Sequence, residues 1–167
     1  SAKTSQRVRT RIRQLTEEGF FTGGQCPYGY ELIRGKRLNK KNQPMNDLRI
    51  CEDEAEVVRL MVEKAKREGL GPLRIANYLN EHEYTTRTGK RWNQSTIGRI
   101  LSSRLYLGIL QKGDAESQQL PELQIVDDDM FSSVQEIRAN RGKGVSENMK
   151  TIPMQTRGKS LLSGFLS

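Results

Sequence analysis

Residues 69–108 read GLGPLRIANYLNEHEYTTRTGKRWNQSTIGRILSSRLYLG, and their spacing predicts two short helices folded about a turn. Leu73, Ile75, Ala76 and Leu79 recur at a helical period behind Gly71-Pro72. Proline suits the first helical turn, where its missing N–H would have no intrahelical partner. The helix should stop near Asn80. EHEYTTRTGKRW is polar and threonine-rich, with Thr88-Gly89 as its turn, and fits a short β excursion or wing better than a helix. Asn93 is a good N-cap for the second helix, in which Ile97, Ile100 and Leu101 form the buried seam.

The opposite face of that second helix carries Gln94, Ser95, Thr96, Arg99 and Ser102. Arg87, Lys90 and Arg91 come just before it and Arg104 just after. These side chains donate to phosphates and read base edges in a major groove. The same spacing also fits a helical hairpin with an ordinary solvated basic face, because helix-turn-helix patterns match by chance.

Charge distribution bears on that choice. The 167 residues hold 28 basic and 20 acidic side chains, a formal net charge of +8. That balance favours a polyanionic partner over an acidic small substrate. Residues 1–49 hold eleven basic and four acidic groups, residues 69–104 six and two, and residues 105–141 three and seven. Positive charge therefore concentrates on the N-terminal segment and the second helix, as a DNA footprint requires. Cys26, Cys51 and the single His82 cannot assemble a zinc site, so no cofactor or metal is expected. No long apolar run suggests a membrane span and no signal peptide is evident, so a soluble cytoplasmic protein is expected.

Outward from the central stretch, Lys3 to about Glu18 has helical propensity, with Val8, Ile12 and Leu15 as a narrow apolar stripe. Arg7, Arg9, Arg11 and Arg13 surround it. A step of two residues turns a helix by about 200°, so Arg7 and Arg11 share one flank while Arg9 and Arg13 share the other. Such a helix could touch phosphates on both sides of a duplex, or simply be a solubilising surface helix. Gly19 should end it, with Phe20-Phe21 and Gly23-Gly24 forming a close-packed elbow. CPYGYELI suits a strand, RGKRLNKKNQPMND a charged hairpin or loop, and LRIC a partner strand.

DEAEVVRLMVEKAKR (53–67) shows a broad apolar stripe, acids in its first turn and bases in its last, and should be the main core helix. Its N-terminal carboxylates are read as structural. YLGIL and PELQIV are expected to be strands. DDDMFSSVQEIRANR is expected to be an amphipathic helix capped around Asp127–Asp129, with Met130, Phe131, Val134 and Ile137 as its stripe. Beyond Arg141 the composition turns glycine-rich and polar, as in a flexible linker, and the apolar ending SLLSGFLS suggests a chain that continues.

The order of these pieces, GG-QC-PYGY, DEAEVVRLM, LGPLRIANYLN, TTRTGKRWNQSTIGRIL, YLG, IVDDDMFSSVQ and LLSGFL, resembles the recombinase domain of large serine recombinases across about residues 5–167. Ser103 stands where many relatives have asparagine, and LPELQIV replaces a His-Pro step found in many. The resemblance implies an α+β fold: a mostly helical domain with a helix-turn-helix, winged-helix-like core and a small antiparallel β-sheet. It implies that residues 1–18 end a connecting helix from a separate catalytic domain, that residues 19–141 bind DNA, and that residues 142–167 lead toward a zinc ribbon. The expected partner is one double-stranded half-site, with self-association of the full-length protein through its catalytic domain and no catalytic residue on this chain. The expected contacts are Gln94, Ser95, Thr96 and Arg99 to bases or nearby phosphates, Arg87, Lys90, Arg91 and Arg104 to the backbone, and Arg7, Arg9, Arg11 and Arg13 along the connecting helix. Rival readings are a stand-alone winged-helix regulator, an RNA-binding module, disfavoured by sparse aromatic residues, and a protein adaptor.

Overall fold

A computed structural model describes residues 2–38 and 41–151 of the chain. In order it contains α1 (Ala2–Glu17), β1 (Tyr30–Leu38), β2 (Pro44–Ile50), α2 (Glu52–Arg67), α3 (Pro72–Glu81), α4 (Gln94–Ser102), β3 (Gln111–Lys112), β4 (Ala115–Glu116) and α5 (Asp128–Thr151). Single 3-10 turns occupy Arg104–Leu107 and Pro121–Leu123. The expected α+β class is found, helix-rich with small antiparallel sheets.

The core lies where α2, α3, α4 and α5 meet. Ala55, Val58, Met61, Val62 and Ala65 of α2, Ile75, Ala76 and Leu79 of α3, and Ile97, Ile100 and Leu101 of α4 are all buried. Val134 of α5 closes the cluster. Each fully buried aliphatic side chain contributes about 1.5–3 kcal/mol relative to leaving it in water. Leu73, expected in the α3 stripe, is 55% exposed. It precedes Ile75 by two residues, which turns it to the far side of so short a helix.

Tyr30 reaches into this core from β1 and is 1% exposed. Its hydroxyl donates to the carbonyls of Leu105 at 2.9 Å and Leu123 at 2.6 Å. The β1–β2 hairpin pairs Tyr30 with Ile50, Leu32 with Leu48 and Arg34 with Asn46, and an irregularity in β1 then brings Leu38 opposite Pro44. The charged segment expected to be a hairpin or loop is thus the hairpin, with strands running through most of it. Lys40, one of its cations, lies outside the described residues.

Three other expectations give way. Residues 82–93 contain no strand. Their backbone is a pair of turns, with Thr86 N–H donating to Lys90 C=O and Gly89 N–H to Thr86 C=O. YLGIL and PELQIV are not strands but 3-10 turns with extended flanks. Gly108 adopts φ 93°, and a Cβ there would lie 2.3 Å from the carbonyl oxygen of Leu120. The chain must therefore turn at Gly108, and Leu120 N–H donates back to Gly108 C=O at 2.8 Å. Finally, α5 continues through Thr151 rather than stopping at Arg141. SENMK carries no proline or glycine, so helical hydrogen bonding continues past the two glycines. The rest of the expected linker, from residue 152, lies outside the described residues.

Candidate nucleic-acid interface

Two side-chain clamps position α4. Asn80, at the end of α3, accepts from Trp92 N–H through Oδ1 at 2.8 Å and donates to Trp92 C=O through Nδ2 at 3.0 Å. The indole of Trp92 is 4% exposed and meets the Tyr28 ring edge-on at 4.9 Å. One residue later Asn93 caps α4 by accepting from Thr96 N–H at 2.9 Å. Both clamps act on the entry to α4, so its orientation is set before its first turn. Twelve residues separate α3 from α4, longer than the three or four of a tight helix-turn-helix.

α5 fixes the other end. The Gln135 amide donates to Leu101 C=O at 2.6 Å and Arg138 Nη1 to Gly98 C=O at 3.1 Å. Leu101 C=O, in the last turn of α4, has no intrahelical partner and carries partial negative charge, so an amide donor suits it.

Between these supports the outer face of α4 presents Gln94, Ser95, Arg99 and Ser102 to solvent, with Thr96 half-buried. Arg99 Nη2 lies 3.5 Å from Thr96 Oγ1. Lys90 and Arg91 are exposed on the approach to the helix and, among the described residues, make no ion pair. This part of the expected surface is brought together.

Arg87 is placed differently from expectation. Its Nε and Nη2 donate to Glu54 at 2.9 and 2.6 Å, Nη1 donates to Cys26 C=O at 2.8 Å, and Nη2 also reaches Pro27 C=O and Tyr30 C=O at 2.9 Å each. A planar guanidinium can grip a carboxylate and several carbonyls at once, which a lysine cannot. Arg87 therefore ties the turn before α4 to the 26–30 loop and the first turn of α2. The role of free phosphate anchor does not fit these contacts. Burial alone would push the Glu54 carboxyl up, but the Arg87 hydrogen bonds, the Gly29 N–H and the Arg87 charge outweigh it and hold it below its ordinary value. The same loop holds Tyr28, whose hydroxyl is pushed up to about 12, first by burial and then by the Glu54 charge.

Arg104 and Arg13 are also engaged, though at the surface. Arg104 meets Glu116 at 2.6 Å and Arg13 meets Asp114 at 3.2 Å, so both converge on the β3–β4 hairpin. Arg7, Arg9 and Arg11 stand exposed on α1 and, among the described residues, make no ion pair. α1 packs against β3 and β4. Only Leu15 of its apolar stripe is buried, while Val8 is 52% exposed.

Sequence reasoning missed Asn80 and the α5 donors Gln135 and Arg138, since no local pattern marks an amide that hydrogen-bonds 12 or 34 positions away. Among the described residues, no group of three or more histidine, cysteine, aspartate or glutamate side chains could hold a metal ion. No described helix is long and apolar enough to cross a membrane.

Comparison with known proteins adds a family and a fold. The family model described as Recombinase matches residues 52–141, more than half of the chain. A solved structure described as an LSR–DNA complex superposes with a TM-score of 0.64 at 21% identity, covering 82% of this chain and 39% of that one. A second, from work on the sequence requirements of the Listeria innocua prophage attP site, gives 0.61 at 18% identity, covering 92% of this chain and 57% of that one. The chain thus spans under two thirds of either neighbour.

Proposed function

The chain belongs to the Recombinase family, and from that premise we propose that it is the double-stranded-DNA-binding domain of a site-specific serine recombinase, seating a separate catalytic domain on one half-site. The observation that carries this reading is α4: a helix clamped at both ends whose outward face presents Gln94, Ser95, Arg99 and Ser102, with Thr96 half-buried beside them. A helix of 9 residues is about 13 Å long, enough to present these groups to a few successive base pairs in a major groove. Arg carries the paired donors that match the two acceptors of guanine, and Gln the donor–acceptor pair that matches the adenine edge. Lys90, Arg91 and the exposed arginines of α1 supply sequence-independent attraction to phosphates.

In this reading the phosphodiester is attacked by a serine of the catalytic domain, the broken strand is held as a protein–DNA ester, and religation restores the backbone. The present chain contributes position and sequence preference and cuts nothing by itself. Self-association belongs to the catalytic domain, and the parent works in the cytoplasm, where its DNA is.

The test is selection of the 167-residue chain on a library of random duplexes at about 0.15 M salt, with Arg99→Ala run in parallel. Enrichment of one half-site, relaxed at one or two positions by Arg99→Ala, supports the proposal. No retention of any duplex, even at low salt, refutes it.

A further inference from the structure

A second surface beside α4 is a furrow with a cation at each end. Two clefts flank the 22–28 loop. One, of about 420 Å³, lies between that loop and the Thr96, Arg99 and Ile100 side of α4. The other, of about 510 Å³, runs from the loop to Gln111, Lys112 and Gly113 of the β3–β4 hairpin. They share Gln25, Pro27, Ser103 and Leu105, so they form one furrow whose midpoint is Gln25.

Three observations identify what the furrow takes. No carboxylate lines either cleft, although the chain holds 20 acidic side chains. The nearby hairpin acids Asp114 and Glu116 are paired with Arg13 and Arg104. Lys112, at the far end, makes no ion pair among the described residues, and its ammonium lies 4.0 Å from where a Cβ on Gly24 would stand. Between the two cations, Gly23 and Gly24 are exposed at φ 100° and 98°. Their positive φ calls for glycine, and a Cβ on Gly23 would meet nothing within 4 Å, so the wall there is open and free of side chains. The sequence reading of a close-packed elbow fails for these two glycines. A wall without side chains lets an extended ligand lie directly against the backbone.

We infer that this furrow holds the sugar-phosphate backbone of one strand of the duplex whose groove α4 enters, with Gln25 and Lys112 as phosphate contacts beyond those on α4. The inference rests on the DNA-binding reading above. A lone phosphate would need only one cation. The furrow instead runs from Arg99 through Gln25 to Lys112, as a strand leaving the groove would.

The duplex recovered from the selection serves as probe, with binding followed against salt concentration for the wild-type chain, Lys112→Ala, Gln25→Glu and Arg99→Ala. All three side chains are exposed, and circular-dichroism melts confirm that each variant folds. Loss of one phosphate contact in Lys112→Ala should lower the slope of log affinity against log salt by about 0.9. A carboxylate against a phosphate in Gln25→Glu should weaken binding by about tenfold or more at low salt. If Arg99→Ala changes sequence preference while Lys112→Ala and Gln25→Glu bind with wild-type affinity and slope, the furrow inference is overturned and the α4 reading stands. If the wild-type chain retains no duplex, both fall.

Discussion

Replacing Arg87 by alanine is the sharpest probe of the architecture, because one side chain joins three separate segments. Its two bonds to Glu54 are charge-assisted, and such bonds contribute about 1.5–3 kcal/mol each when desolvated. The Arg87 side chain is 39% exposed against 17% for Glu54, so solvent screening brings the pair down to about 1 kcal/mol. Truncation also strips a donor from the carbonyls of Cys26, Pro27 and Tyr30, at about 0.5–1 kcal/mol each. The total is about 3 kcal/mol, which for a chain of this size lowers Tm by about 6–12 °C. Thermal and urea unfolding followed by circular dichroism measure it. Arg87→Lys should recover little, since an ammonium cannot reproduce the fork.

The pH dependence supplies an independent check on the same pair. Glu54 is held below its ordinary value in the folded chain, so its contribution is fully present above the unfolded carboxyl's titration range. It is lost as pH falls through the folded one. Stability should therefore decline on acidification more steeply in the wild-type chain than in Glu54→Gln. An Arg87→Ala chain melting within about 1 °C of wild type, corresponding to less than about 0.5 kcal/mol, would refute the keystone assignment.

Other perturbations follow from particular contacts. Tyr30→Phe removes the hydroxyl that serves the Leu105 and Leu123 carbonyls and should cost about 2 kcal/mol in urea unfolding, without creating a cavity. Asn93→Ala deletes the α4 cap; a loss of about 1 kcal/mol is expected, together with weaker retention on the selected duplex. Gly108→Ala forces a Cβ against the Leu120 carbonyl at positive φ and should cost about 3 kcal/mol or more, read as a drop in the urea midpoint.

The helices were legible because their signals are local. Ile75, Ala76 and Leu79, or Ile97, Ile100 and Leu101, announce a buried face within two turns, and Asn93 marks its own helix start. The internal contacts of Arg87 were illegible for the same reason. Beside a basic helix it looks like a phosphate ligand, and its partner Glu54 lies 33 positions away in what reads as an ordinary acidic first turn. YLGIL has the apolar content of a strand, but its shape is decided by the approach of Leu120 to Gly108, a contact no window of that sequence contains. The exposed glycines at 23 and 24 read as packing residues because a pattern cannot show on which side of a backbone there is empty space.

Tyr30 has a consequence for where this fold can be cut. The family match begins at residue 52, yet a side chain from residue 30 fills the centre of the core and satisfies carbonyls at 105 and 123. Glu54, just inside that boundary, takes its hydrogen bonds from Gly29 and Arg87. A protein trimmed to the matched span would retain the buried residues of every core helix and lose the plug that closes the core. The unit that folds is thus larger than the unit that sequence comparison delimits, and a graft of this domain onto another protein should carry the β1–β2 hairpin and the loop before it.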